Sequence, residues 1–289
     1  MSTDGVQLAV HQLGHDDPSG GDPFAGRPVL LCHATGFHGM VWAPMARHLE
    51  GCAAYALDFR GHGDSPPPAD RGMDWNGFAD DVLAVVDAMA AAGIDVDGLV
   101  AVGHSKGGAA ILLAEQRRPG TFGAAYLYEP VVMPPEVRAQ VGATEGGPNP
   151  MAEGALRRRP TFASRDAAYD NYASKLPLSV LDPAALRAYV DHGFADQPDG
   201  TVTLKCRPEI EAAVFRMGGV HQAFEHLGEV SCPVTVGVGE VTGFGPAAAA
   251  VSVVERVPRG HLDEFPDLGH FGPLEDPPRI AARVLAAFA

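Results

Sequence analysis

No run of about 18 or more apolar residues occurs in this 289-residue chain, so no segment reads as a membrane-crossing helix. Basic side chains are scarce: 21 Lys/Arg stand against 36 Asp/Glu, a formal net charge of −15. That balance argues against the general affinity for nucleic acid or anionic membrane that basic patches confer. The four cysteines, Cys32, Cys52, Cys206 and Cys232, are widely spaced and form no CxxC or Cys/His pattern. Neither a disulfide framework nor a zinc site is indicated, and Cys32 and Cys232, in apolar strand-like contexts, read as buried free thiols. The opening MSTDGVQLAVHQ has no basic n-region or apolar h-region, so no signal peptide is expected and a cytoplasmic protein is the working assumption.

What the chain does contain is a globular composition, 46% hydrophobic and 20% charged, in a length sufficient for one large α/β domain with an insert. Short apolar runs alternate with longer amphipathic stretches. Pro28–Cys32, Ala53–Phe59, Leu99–Gly103, Gly123–Glu129 and Val234–Gly239 read as buried parallel strands. Helices are expected over Asp74–Ala92, stopped by Gly93, over Ser105–Arg118, stopped by Pro119-Gly120, and over Pro278–Ala289. Such alternation implies a doubly wound, mostly parallel sheet with reactive groups at the carboxyl ends of its strands.

The rhythm breaks after Glu129. From Met133 to Gly228 no buried strand is evident, only a Gly/Pro-rich stretch (GATEGGPNP) and polar helical segments such as SRDAAYDNYASK. This segment carries 10 Lys/Arg and 12 Asp/Glu, whereas the rest of the chain carries 11 and 24. It is read as a helical insert, 133–228, lying over the active edge of a core formed by 1–132 and 229–289.

One stretch carries chemistry. Gly103-His104-Ser105-Lys106-Gly107 fits G-x-S-x-G between an apolar strand and a helix, with Gly108 following. A tight strand-to-helix turn forces strained angles on the central serine and requires small neighbours two residues away on each side. It lifts the hydroxyl above the sheet and aims the helix amides at developing negative charge. A serine hydroxyl is a weak nucleophile and needs a histidine base oriented by an acid. Of twelve histidines, His270 is best placed, in FPDLGHFGPLEDP between the last expected strand and the last helix.

With these residues in view the sequence resembles the α/β-hydrolase superfamily, over the whole chain outside the insert. The matching segments are His33-Ala-Thr-Gly36, Asp58-Phe-Arg-Gly-His-Gly-Asp-Ser65, the serine turn, and Gly269-His270-Phe. The resemblance implies that the backbone N–H groups of Thr35 and Lys106 form an oxyanion hole, and that Arg60–Ser65 is a structural turn. It implies no metal and no organic cofactor.

The family's acid usually follows the strand after the insert in a Gly-x-x-Asp pattern. Here that stretch is Gly239-Glu-Val-Thr242, and threonine cannot stabilise an imidazolium by charge. In some branches, including certain haloalkane dehalogenases and lipases, the acid instead ends the strand after the nucleophile helix, where this chain has Glu129. A carboxylate closing an apolar strand is costly unless paired. The expected triad is therefore Ser105, His270 and Glu129, with Glu240 as the alternative acid.

Phe37 and His104 are expected to contact substrate. The Lys106 side chain is read as forming an ion pair with a nearby carboxylate or meeting an anionic substrate group. Trp42, His221 and His226 read as packing or surface residues. Arg157-Arg158-Arg159 reads as a solvated helix face, with contact to a phosphorylated carrier as the sharper option. Serine at the turn, in place of the aspartate of dehalogenases and epoxide hydrolases, suits acyl transfer. The resemblance implies a small-molecule ester substrate, with a thioesterase acting on acyl-CoA or carrier-bound acyl or polyketide groups second. Perhydrolase chemistry or a non-catalytic receptor role rank below these.

Overall fold

The computed structural model describes residues 1–17, 19–22, 25–70, 72–140, 149–242 and 245–289. Among the described residues there are ten strands: β1 (Val10–Leu13), β2 (Arg27–Cys32), β3 (Cys52–Leu57), β4 (Val100–His104), β5 (Ala124–Tyr128), β6 (Thr161–Phe162), β7 (Phe194–Asp196), β8 (Val202–Leu204), β9 (Val234–Val238) and β10 (Gly260–Glu264). Seven of them form one sheet in the order β1-β3-β2-β4-β5-β9-β10. Every pairing in it is parallel except β1 with β3. This is the doubly wound sheet that the apolar runs implied.

Those runs are continuous because both faces of the inner strands are covered. Along β2, Val29 and Leu31 join one apolar cluster while Leu30 and Cys32 join the other, and all four are fully buried. The strands that sequence periodicity did not reveal, β1 and β10, lie at the two edges. Both carry exposed polar positions, so neither has an apolar run to signal it.

The expected helices form with small changes at their ends. Helix Trp75–Ala91 starts where the Asp74 carboxylate accepts the Gly77 N–H at 2.9 Å and stops before Gly93, whose φ of +84° suits a left-handed cap. Helix Lys106–Arg117 follows β4 directly. Helix Pro277–Ala287 buries Ile280, Ala281 and Val284.

Between β5 and β9 the chain is not wholly helical. Helices Pro150–Leu156, Arg165–Ala173, Pro183–Gly193 and Pro208–Met217 are joined by a second sheet, β6-β8-β7, antiparallel throughout. The expectation of no strand here is corrected. These strands have only two or three residues, too few for any period to show, and they form because Phe162, Phe194, Val202 and Leu204 are buried in the same cluster as Phe37 and Trp42. Most of the Gly/Pro-rich stretch, 141–148, lies outside the described residues.

Candidate active site

Ser105 sits between the end of β4 and helix Lys106–Arg117 with φ 54° and ψ −113°, a region that costs a non-glycine residue about 1–3 kcal/mol. The surroundings over-determine this conformation. Its N–H donates to Tyr128 O at 2.9 Å, and its carbonyl accepts Ala109 N–H and Val131 N–H, each at 3.2 Å. The flanking glycines are sterically required. A Cβ on Gly103 would lie 2.7 Å from Gly108 Cα, and one on Gly107 would lie 2.1 Å from the Cys32 carbonyl oxygen. Gly107→Ala drives a methyl into backbone of β2 that cannot rotate away. It is expected to cost at least ~3 kcal/mol in a urea unfolding titration; an unchanged midpoint would show that the turn can open.

Glu129 follows β5 and also has a positive φ, 43°. Its side chain is 3% exposed. One carboxylate oxygen accepts the Gly239 N–H at 2.9 Å and the other meets His270 Nδ1 at 2.6 Å. The segment after β9 thus contributes a backbone amide that holds a carboxylate supplied from the end of β5. Glu240, the alternative, is exposed, and no described cationic or imidazole group pairs with it.

The loop bearing His270 is fixed from three sides. His104 Nε2 donates to the His270 carbonyl at 2.7 Å, and the Tyr128 hydroxyl donates to Gly269 O at 2.8 Å. The Glu275 carboxylate accepts the N–H groups of Gly269 and Phe271 at 3.0–3.1 Å. His104 is therefore not at the cavity wall, and the expectation that it contacts substrate is corrected. It is buried beneath the His270 loop, and burial pushes its imidazole well below the ordinary histidine range, keeping it neutral. Sequence reasoning did not identify Tyr128 or Glu275. Their only signal was polar atoms at the end of an apolar strand and five residues past His270.

The turn after β2 is held with equal care. His33 donates from Nδ1 to Ala34 O at 2.7 Å and accepts the Phe59 N–H on Nε2 at 3.1 Å. The Asp58 carboxylate accepts the N–H groups of Gly39 and Asp64 and meets His11 Nε2. Thr35, Gly36 and Phe37 then line the cavity that also contains Ser105 and His270. Its volume is about 630 Å³, enough for a small organic ligand. A separate cavity of about 510 Å³ beside Trp75 and His221 includes neither Ser105 nor His270.

The Lys106 side chain does not reach a carboxylate among the described residues, which corrects the ion-pair expectation, nor does it line the Ser105 cavity. It runs into the core, 1% exposed, with Nζ 4.3 and 4.5 Å from the ring centroids of Phe59 and Phe78. His62 Nε2 lies 3.4 Å away. Burial lowers its amine to about 7. Only its backbone N–H, at the first position of the helix, is near Ser105.

Among the described residues the Ser105 hydroxyl has no hydrogen-bond partner, while both Ser105 and His270 border the same cavity. A strained serine on a strand-to-helix turn thus opens on a space that a carboxylate-held imidazole also enters. Residues 29–283 match the model of the alpha/beta hydrolase family, and the chain belongs to that family. The mycobacterial protein Lipase LipV of Mycobacterium tuberculosis (strain ATCC 25618 / H37Rv) is 31% identical over 198 residues, covering 68% of this chain and 65% of that protein. The chain thus spans less than two thirds of that relative. In fold it is similar to the peroxisomal alpha-beta-hydrolase Lpx1 of Saccharomyces cerevisiae, with a TM-score of 0.76 at 18% identity, covering 98% and 88% of the two chains. It is likewise similar to the esterase RhEst1 from Rhodococcus sp. ECU1013, with a TM-score of 0.69 at 24% identity, covering 99% and 96%.

Proposed function

We propose that this protein cleaves carboxylic esters through an acyl-enzyme, with Ser105 as nucleophile, His270 as base and Glu129 as the acid that orients it. The observation that carries the reading is the 2.6 Å contact between His270 Nδ1 and buried Glu129. It fixes the ring proton on Nδ1 and leaves Nε2 free to accept one. Relatives named lipase and esterase favour an ester bond.

In this scheme Ser105 Oγ attacks the ester carbonyl carbon as its proton passes to His270 Nε2. No hydrogen bond joins these two side chains in the structure, and one forms as substrate binds, since catalytic hydrogen bonds are often completed only in the substrate complex. Charge collecting on the carbonyl oxygen is met by the N–H groups of Thr35 and Lys106, already fixed by the turns that bear them. Collapse breaks the C–O bond, and the departing alkoxide takes the proton from His270. Water then gives its proton to His270 and attacks the acyl-enzyme, and Ser105 Oγ leaves with that proton. The described residues of the 133–228 insert act as a cap whose inner surface shapes the substrate cavity, and Phe37, packed against Tyr189 and Phe271, forms one apolar wall.

A fluorophosphonate probe followed by mass spectrometry tests the nucleophile. The wild-type chain is expected to be labelled once, at Ser105, with label and p-nitrophenyl ester hydrolysis both lost in Ser105→Ala. Labelling that survives the substitution would place the chemistry elsewhere.

A further inference from the structure

In a chain of net charge −15, the wall of the Ser105 cavity has the opposite sign. Arg157, Arg158, Arg159 and Lys175 line it, and among the described residues Glu211 is its only lining carboxylate. Of the four cations, Arg157 has a loose pair with Glu153 at 3.8 Å, both side chains well exposed. Arg159 donates to Thr161 O and Lys175 to Asn171, and neither meets a carboxylate among the described residues. A surface this acidic does not collect unpaired cations around one cavity without raising the local concentration of anions there.

Arg158 differs from the other three. Glu211 holds its Nη1 at 2.5 Å, and the hydroxyls of Tyr189 and Tyr172 accept from Nη2. These contacts lock the guanidinium plane, yet among the described residues no acceptor meets Nε. The locked pair also lies against the oxyanion turn. A Cβ on Gly36, the residue after Thr35, would fall 2.4 Å from Glu211 Oε1 and 3.5 Å from Arg158 Nη1. With φ +81°, Gly36 lets the turn and the ion pair approach this closely.

We propose that the substrate carries a carboxylate within a few bonds of the scissile carbonyl, and that Arg158 binds it beside the oxyanion turn while Arg157, Arg159 and Lys175 draw it in. This rests on the esterase reading above and names its substrate class. A carboxylate can accept a charge-assisted hydrogen bond from the Nε–H that the other partners leave open, whereas Glu211 opposes a more highly charged group at the same spot.

The test compares matched esters with and without the charge. Mono-p-nitrophenyl glutarate is set against p-nitrophenyl pentanoate for a carboxylate on the acyl side. The butyrate ester of glycolate is set against ethyl butyrate for one on the alcohol side. In at least one pair the charged ester is expected to show about tenfold or higher kcat/KM at about 20 mM salt, and the ratio should shrink at about 500 mM as screening grows. Arg158→Gln should lower that ratio about tenfold. Since Arg158 also ties Glu211 to two tyrosines, the exposed double change Arg159→Ala with Lys175→Ala is run beside it and should lower the ratio a few-fold. Ratios near one in both pairs, with Ser105 labelled and neutral esters hydrolysed, overturn the carboxylate assignment alone. Absence of both labelling and turnover overturns the esterase reading and this inference with it.

Discussion

Glu129→Gln is expected to lower kcat on a p-nitrophenyl ester by about 10⁴-fold with little change in KM. The reason lies in the donors that converge on this carboxylate. Gly239 N–H and His270 Nδ1–H each need an acceptor, and a carboxylate supplies two. A glutamine side chain offers one acceptor oxygen and one NH₂. If its oxygen keeps the buried Gly239 N–H, its NH₂ faces His270 Nδ1 and forces the ring proton onto Nε2. That nitrogen then cannot take the proton of Ser105. Glu240→Gln, at an exposed side chain, should leave kcat within about twofold. The reverse pattern in steady-state kinetics would move the acid to Glu240.

The second large effect concerns stability. Lys106 is a buried amine whose pKa falls from 10.5 to about 7 because burial disfavours its charged form. Below about pH 7 both folded and unfolded chains carry the proton, and the folded state bears the full cost of the buried charge. Between about 7 and 10.5 the unfolded chain still binds a proton that the folded one has released, so this group's contribution to stability rises with pH. At ~1.4 kcal/mol per pKa unit the range corresponds to on the order of 3–5 kcal/mol. Lys106→Met keeps the volume and the backbone amide and removes the titration. It leaves His62 Nε2 without its partner, a cost of about 1 kcal/mol. In urea unfolding at pH 6 and pH 9.5, the stability of Lys106→Met relative to wild type is expected to fall by several kcal/mol as pH rises. A constant difference would mean that Nζ is not sealed in its aromatic box. Comparing the two proteins also removes the opposing effect of the buried thiols and tyrosines, whose raised pKa values reduce stability at the alkaline end.

Ser105 and His270 were legible in the sequence because each stands in a pattern whose spacing has a steric or topological cause. For Ser105 the cause is the glycines at 103 and 107, which clear backbone of β2 and of its own helix. Glu129 was suggested by resemblance to branches that end this strand in an acid, and the cost of an unpaired carboxylate closing the apolar run AYLYE supported it. The Lys106 side chain was misread because Phe59, Phe78 and His62 come from a different loop and helix, and nothing local to GHSKGG announces them. His104 was misread because adjacency to Ser105 in sequence says nothing of direction: successive residues at a strand end point to opposite sides.

By itself, then, the sequence determined the doubly wound sheet and pointed to the strained serine turn and to the groups proposed to share a proton. Those follow from local period, from backbone sterics and from the cost of burying an unpaired charge. Only the tertiary structure decided that Gly239 completes the shell of Glu129, that His104 and Tyr128 hold the His270 loop, and that Arg158 and Glu211 lie over Gly36. Each of these joins residues far apart in the chain, and such contacts are set by how whole layers pack, which no short stretch of residues encodes.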